Sequence, residues 1–352
     1  MKKKLFVGVS GINAADNPGP GIGVARSLLE DKELNVEIVG LAYDAMEPGI
    51  YMDWIVPKTF MMPYPSGDTE AYINRLIHIK QTHGLDVVIP NLDAELPLYI
   101  HYAKTLESHG IKTILPSMEQ FKLRGKDLLT EVAQRIGIAL PRTKIVNSPD
   151  QLGAAIEDIG LPAMIKGIYY KAYKAHTLAE AHGHMQALAM DWGYPIIVQE
   201  IVTGDELNVV GLGDGQGNSL GAVGIKKIMI TSLGKIWTGV TVKNEKMLEA
   251  TRRFISEYKW RGPFELECIV KGDEVCLIEI NPRFPAWSYF ATGVGVNLPS
   301  RMLRRALDLP LPKMNTEGPH GYPAGKLFVR YCLEMVSDMQ TFQMAVTRGE
   351  TA

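Results

Sequence analysis

Apolar and polar positions follow three successive regimes along this chain. In the first, continuous apolar runs (Leu5–Val9, Val36–Ala42, Asp86–Ile89) alternate with stretches of helical spacing (Val24–Glu30, Gly67–His83, Pro97–His109). Runs without a polar face predict strands of a parallel sheet covered on both sides by helices. Trp54–Val56 and Thr113–Leu115 read as two further short strands. Pro97 near the start and Gly110 just past the end punctuate the third helix in the expected way.

The pattern changes near residue 116. Ser117-Met118-Glu119-Gln120 is a capping box opening a helix, and a second helix runs from about Asp127 to Ile136 and stops at Gly137. Strand Thr143–Val146 meets another capping box, Ser148-Pro149-Asp150-Gln151, and Ala163–Lys166 is a strand. From Ile196 strands dominate: Ile196–Val202, Glu206–Leu212, Ser219–Ile225 and Lys235–Val240. A helix over Glu245–Tyr258 precedes a hairpin, Phe264–Val270 and Val275–Ile280, turning around Lys271-Gly272-Asp273. One more strand lies near Lys326–Tyr331. These regimes divide the chain into units at 1–115, 116–200 and 201–352, which suits a length of 352 residues.

Composition narrows the function classes. A net charge of −2 offers no basic excess for nucleic acid or an anionic membrane. Lys2-Lys3-Lys4 is followed by an apolar run too short for a secretion signal or a span. Cys268, Cys276 and Cys332 have no C-x-x-C spacing and read as reduced thiols of a cytoplasmic protein. The eight histidines show no metal spacing, with His182 and His184 on a polar helix. Ser10-Gly11 lacks the context of a hydrolase nucleophile.

The chemistry concentrates in the late hairpin. Strand alternation puts Phe264, Leu266, Cys268 and Val270 on one face, leaving Glu265 and Glu267 on the other. In the second strand Cys276, Ile278 and Ile280 face the core, leaving Glu279 and Asn281 opposite. With a three-residue turn, Glu267 lies directly across from Glu279, close enough to share an ion. Two carboxylates and an amide oxygen suit Mg²⁺, not zinc. Glu265 alone reads as an exposed acidic position.

Leu277-Ile278-Glu279-Ile280-Asn281-Pro282-Arg283, with Glu267 twelve residues before Glu279, resembles the metal-binding end of ATP-grasp enzymes. It is similar to the biotin carboxylase and carbamoyl-phosphate synthetase branch. The resemblance implies an α/β ATP-grasp fold: an amino-terminal Rossmann-like (pre-ATP-grasp) domain and two α+β lobes enclosing the nucleotide. It implies ATP as cofactor, with Mg²⁺ (Mn²⁺ as the alternative) on Glu267, Glu279 and Asn281, and Arg283 at the reacting phosphate or substrate. Lys126 and Lys166 resemble the two phosphate-contacting lysines. Ile196–Glu206 resembles the hinge strand, where Gln199, Glu200, Ile201 and Val202 hold the adenine edge and Glu206 the ribose. Lys243 is a looser phosphate or substrate candidate.

Two segments depart from the family pattern or stay open. Where many members carry a Gly- and Ser-rich flap, this chain has Gly167-Ile-Tyr-Tyr-Lys-Ala-Tyr-Lys-Ala-His176, with a single glycine. Its Tyr and Lys side chains either cover the phosphates or form an ordinary surface segment. The loop Asn17-Pro-Gly-Pro-Gly-Ile-Gly23 opens a helix but does not fit G-x-G-x-x-G, although Asp44 follows at the dinucleotide spacing. On the resemblance, that loop lines the substrate pocket instead, with Asp93 and Glu95.

The expected activity is ATP-dependent ligation of a small-molecule or peptide carboxylate to an amine or related nucleophile, through an acylphosphate, releasing ADP and phosphate. A non-catalytic ATP-binding regulator of the same fold is the alternative, followed by an NAD(P)-dependent oxidoreductase. A homodimer is the default assembly.

Overall fold

The protein is described by a computed structural model covering residues 3–169, 171–313 and 321–351. It contains three sheets, which meet around one cleft. The first holds β1 (Leu5–Val9), β2 (Val36–Ala42), β3 (Lys58–Met61) and β4 (Val87–Ile89), all parallel, in the order β3-β2-β1-β4. Helices Pro20–Glu30 and Thr69–His83 flank it. Asp68 caps the second helix through Ala71 N–H, and Gly84 ends it in the left-handed region.

Trp54–Val56 is not a strand. Pro57 offers no N–H to the ladder, and pairing with β2 begins only at Lys58. Thr113–Leu115 forms no strand either, because contact with β4 is limited to the single bridge Val87–Lys112. The expected helix 97–109 divides at Tyr102 into Leu96–His101 and Ala103–Ser108.

The second sheet is antiparallel: β5 (Thr143–Val146), β6 (Ala163–Gly167), β7 (Ala172–Ala175) and β8 (Ile196–Glu200), ordered β5-β8-β6-β7. The flap segment is thus half strand, with Lys166 paired to Ala172. Ser117 forms its capping box, but Ser148 does not. A 3₁₀ turn follows Ser148, and Gln151 instead accepts from Asn147 N–H at 2.8 Å. Helix Leu129–Ile136 packs away from this sheet: Leu129, Val132 and Ile136 share a core with Phe254 and Ile255 of helix Glu245–Glu257.

The third sheet has six strands: β9 (Asp205–Asp214), β10 (Ser219–Ile230), β11 (Ile236–Thr241), β12 (Arg261–Lys271), β13 (Glu274–Asn281) and β14 (Leu327–Val329), in the order β13-β12-β9-β10-β11-β14. One core joins it to the first sheet, with Val7, Val9 and Ile89 in the same cluster as Val210, Ile225 and Phe284. Among the described residues no helix is long and apolar enough to cross a membrane.

The hairpin β12–β13 reaches the expected pairing by a different route. Lys271 pairs with Glu274, so the turn holds two residues, with Gly272 at φ +59°. That register alone would set Glu267 against Ile278. A bulge after Leu277 leaves Ile278 without an opposite residue and restores Glu267 to Glu279. The bulge also changes which side chains face inward. Val275, Leu277 and Ile280 enter the core, whereas simple alternation places Cys276 and Ile278 there. Ile278 instead lines the cleft.

Candidate active site

The acidic wall is the polar face of β12–β13. Glu267 and Glu279 stand opposite each other, and Glu265 stands opposite Asn281. Glu265 is not an exposed position: it is buried, with only 4% of its surface accessible. Its carboxylate accepts from Asn208 Nδ2 at 2.7 Å, Asn281 Nδ2 at 3.0 Å and Trp287 Nε1 at 2.7 Å. Burial, then the neighbouring Glu267 charge, pushes Glu265 up to about 7.

Asn281 also donates to Glu267 at 3.0 Å, and its Oδ1 accepts from Arg283 Nη2 at 3.3 Å. Burial would raise Glu267, but Lys227 Nζ at 2.8 Å overrides it and holds the carboxyl below its ordinary range. Lys227 also pairs with Glu206 at 3.1 Å. The burial of Lys227 opposes its charge, and Glu267 and Glu206 more than restore it.

Lys227 escapes the sequence pattern because the apolar run of its strand ends at Ile225. Carried two residues further, β10 pairs Lys226 with Leu207 and brings Lys227 beside Glu206.

The basic wall comes from the second sheet and the helical segment before it. Lys166, at the end of β6, is buried and donates to Gln199 Oε1 at 2.6 Å; Gln199 Nε2 in turn donates to Thr143 Oγ1 at 2.9 Å. Burial, then the nearby Lys126 charge, lowers Lys166 to about 8. Lys126 is also buried and lies 3.7 Å from Glu279 Oε1, donating as well to the Tyr169 carbonyl at 2.9 Å. Burial raises Glu279, and Lys126 opposes that.

Between the walls lies a cavity of about 280 Å³. Lys166, Gln199, Glu200, Ile201 and Val202 line one side, with Glu206, Lys227, Glu267 and Ile278 opposite. Among the expected adenine contacts, the Glu200 N–H is already donated to the Arg142 carbonyl at 2.9 Å. Its carboxylate pairs with Arg142 at 2.8 Å. Ile201 and Val202, past the end of β8, line the cavity.

A chain of contacts crosses the mouth of the cleft. The Arg124 guanidinium lies over Tyr169 (4.4 Å) and Phe121 (4.6 Å), and pairs with Asp93 at 3.4 Å. Asp93 also pairs with Arg283 Nε at 3.3 Å. The flap tip therefore connects to the acidic hairpin. Tyr170 lies outside the described residues. Lys171 pairs with Asp191 at 2.5 Å and Tyr173 stacks on His184, so these two face their own lobe. Lys243 sits 5.7 Å from the Tyr322 ring centre.

Of the amino-terminal candidates only Asp93 reaches the cleft. Glu95 is fully buried and gathers Ser10 Oγ, Tyr43 OH and the backbone N–H groups of Asn91 and Leu92, shaping the loop from within. The N–H groups of Gly19 and Gly21 donate to the Asn13 and Gly11 carbonyls. A Cβ on Gly21 would meet Ser10 O at 2.3 Å. These glycines let the helix approach β1 closely, and their amides are already taken by the loop.

The donor set can be tested against Mg²⁺. Among the described residues no three His, Cys, Asp or Glu side chains converge as a complete cation cage. Glu267, Glu279 and Asn281 bring carboxylate and amide groups to one face of the hairpin, and Glu267 lines the cavity from which a ligand would complete the shell. Mg²⁺ commonly takes one or two carboxylates and fills its remaining positions with water and phosphate. The residues fit.

Comparison with known proteins bears on the fold. The family described as "ATP-grasp in the biosynthetic pathway with Ter operon" matches residues 194–322. A formate-dependent phosphoribosylglycinamide formyltransferase of Prochlorococcus marinus (strain MIT 9301) is 23% identical over 301 residues, 81% of this chain and 73% of that protein. The structure of N5-carboxyaminoimidazole ribonucleotide synthetase from Thermus thermophilus superposes with a TM-score of 0.64 at 17% identity, covering 87% of this chain and 79% of the other. Biotin carboxylase from Campylobacter jejuni gives 0.68 at 16% identity, covering 88% and 72%. The fold is that of these proteins.

Proposed function

We propose that this chain is a member of the ATP-grasp superfamily, as the family match over residues 194–322 and the shared fold suggest, and an ADP-forming ligase that activates a carboxylate with ATP and transfers the acyl group to an amine or related nucleophile. The observation that carries this reading is the facing pair Glu267–Glu279: Glu267 lines a cavity whose other wall holds Lys166, and Lys126 lies 3.7 Å from Glu279.

In this reading the purine enters between Ile201, Val202 and Ile278, and Glu206 receives the ribose hydroxyls. Lys166 and Lys126 draw the phosphates toward the acidic hairpin. Glu267, Glu279 and Asn281 would hold Mg²⁺, which would supply positive charge to offset that of the phosphates. The substrate carboxylate attacks the γ-phosphorus, the bond to the ADP oxygen breaks, and an acylphosphate forms. The nucleophile then adds to the acyl carbon and phosphate departs, the nucleophile losing its proton.

Arg283, held by Asp93 and the Asn281 oxygen, stands beside the transferring group to neutralise charge. Formate and ribonucleotides are chemistries suggested by the relatives' names; the carboxylate of this chain is open among such small metabolites or a peptide. This reading expects the reaction in the cytoplasm, on soluble substrates.

The test is release of ADP and phosphate from Mg·ATP with pooled carboxylates and amines, with hydroxylamine present to trap acylphosphate. Hydroxamate formed with one pool supports the reading. ATP binding without turnover in every pool would favour a regulator instead.

A further inference from the structure

The six-stranded sheet ends in an edge that its sequence is equipped to extend. β14 pairs with β11 on one side, and among the described residues nothing pairs with its other side. Only Leu327–Val329 are in the strand, yet the period-2 alternation runs on through Leu333. Leu327, Val329, Tyr331 and Leu333 alternate along the chain, and the last three are 71%, 82% and 61% exposed. Apolar residues this open, on an unpaired edge, are what such edges usually avoid.

The intervening residues face the protein at first. Phe328 packs against Phe290, and Arg330 donates from Nη2 to the Ala286 carbonyl at 2.7 Å. Arg330 Nε is buried without a hydrogen-bond partner, and no carboxylate pairs with this guanidinium among the described residues. Burial lowers its pKa, the cost of a charge left without a counter-ion.

We propose that residues 327–336 form a homodimer interface, pairing antiparallel with the same segment of a second copy about a twofold axis at Cys332. In that register Arg330 lies opposite Glu334 of the second copy, twice by symmetry. Tyr331 lies opposite Leu333, Val329 opposite Met335, and Cys332 opposite itself. Shifting the register by one residue in either direction breaks the charge match: one shift sets Glu334 against Val329, and the other sets it against Tyr331.

The pattern is self-complementary, as an isologous contact requires. Glu334 supplies the counter-ion that the buried guanidinium lacks. The segment is tied at both ends, by β14 and by Gly349, whose carbonyl accepts from Met61 N–H at 2.8 Å, so pairing orders little additional chain.

The surface is separate from the ATP cleft and is read without turnover. Light scattering on the full chain at tens of micromolar should show a dimer. A short bis-maleimide should cross-link it through Cys332, the exposed thiol, and not through the buried Cys268 and Cys276. Glu334→Arg, on a surface residue, should weaken the dimer by roughly tenfold to a hundredfold, because two like-charge pairs replace two opposite ones. A monomer at these concentrations would overturn the proposal. So would a dimer whose affinity Glu334→Arg leaves unchanged and that Cys332 does not cross-link.

Discussion

Two antiparallel hairpins face each other across the cleft, and they are held in different ways. β12–β13 carries like charges and is braced at Glu265, Glu267 and Asn281. Glu265 receives three side-chain donors, Asn281 bridges Glu265 and Glu267, and Lys227 clamps Glu267. β6–β7 carries one buried lysine, and its tip is exposed, with Lys171 at φ +62° and Tyr169 touching the rest through Arg124. Carboxylates facing each other repel and must be fixed from behind. A lysine approaching phosphate needs only a buried stem and one neighbour. Substitutions on the braced side should therefore damage chemistry most, and those on the flap should grade downward toward binding.

The largest effect is expected for Glu279→Gln. It keeps shape and removes one of the two facing charges, so ADP release should fall by at least ~10²-fold, the scale of one preorganised electrostatic group. ATP binding should persist. A turnover close to wild type would remove the hairpin from the chemistry. Next comes Lys166→Met, which should weaken ATP binding on the order of tenfold to a hundredfold, as expected for a charge-assisted contact.

Lys166 also sets a pH dependence. Its pKa is lowered to about 8, so the cation prevails below that value and is lost above it. Affinity for ATP in the wild type should decline as pH rises through that region, and bound phosphate, favouring the cation, shifts the decline upward. Lys166→Met should bind weakly with no such decline. Titration calorimetry across that range decides it: a flat wild-type curve would exclude Lys166 from the phosphates.

The acidic hairpin is legible in the sequence because its two carboxylates fall on strands whose apolar neighbours declare a buried face. The register is not, since the bulge at Ile278 has no signature among β-branched and acidic residues. The same bulge misplaces Cys276 and Ile278. Glu265 is misread for a different reason. A buried carboxylate is identified by its donors, and Asn208 and Trp287 are distant in sequence. Lys227 is lost at a strand end, and Arg124 and Asp93 are joined only by tertiary packing. The fold is more readable than the site because parallel strands announce themselves as apolar runs, whereas the cleft is assembled from three sheets.

Glu265→Gln sharpens the contrast between the hairpins. A glutamine offers one oxygen where the carboxylate offers two, so one of the three donors from Asn208, Asn281 and Trp287 loses its acceptor. Leaving a buried donor unsatisfied costs about 1–3 kcal/mol. Denaturant unfolding should show that loss, and turnover should drop about tenfold as Asn281 shifts from its place beside Glu267. Unchanged stability would mean that Glu265 is already protonated and its donors are less demanding than their distances suggest.

The smallest effect belongs to Tyr169→Ala. The ring lies 4.4 Å from the Arg124 guanidinium, which Phe121 and Asp93 also hold. Its removal leaves the Tyr169 carbonyl in place to receive Lys126. A cation–π contact at a partly exposed site is worth about 0.5–1 kcal/mol, so KM for ATP should rise by only a few fold, with kcat nearly unchanged. A large fall in kcat would mean that the Tyr169–Arg124–Asp93–Arg283 chain positions Arg283 for the reaction. The flap would then be braced as firmly as the acidic hairpin, and the contrast between the two walls would fail.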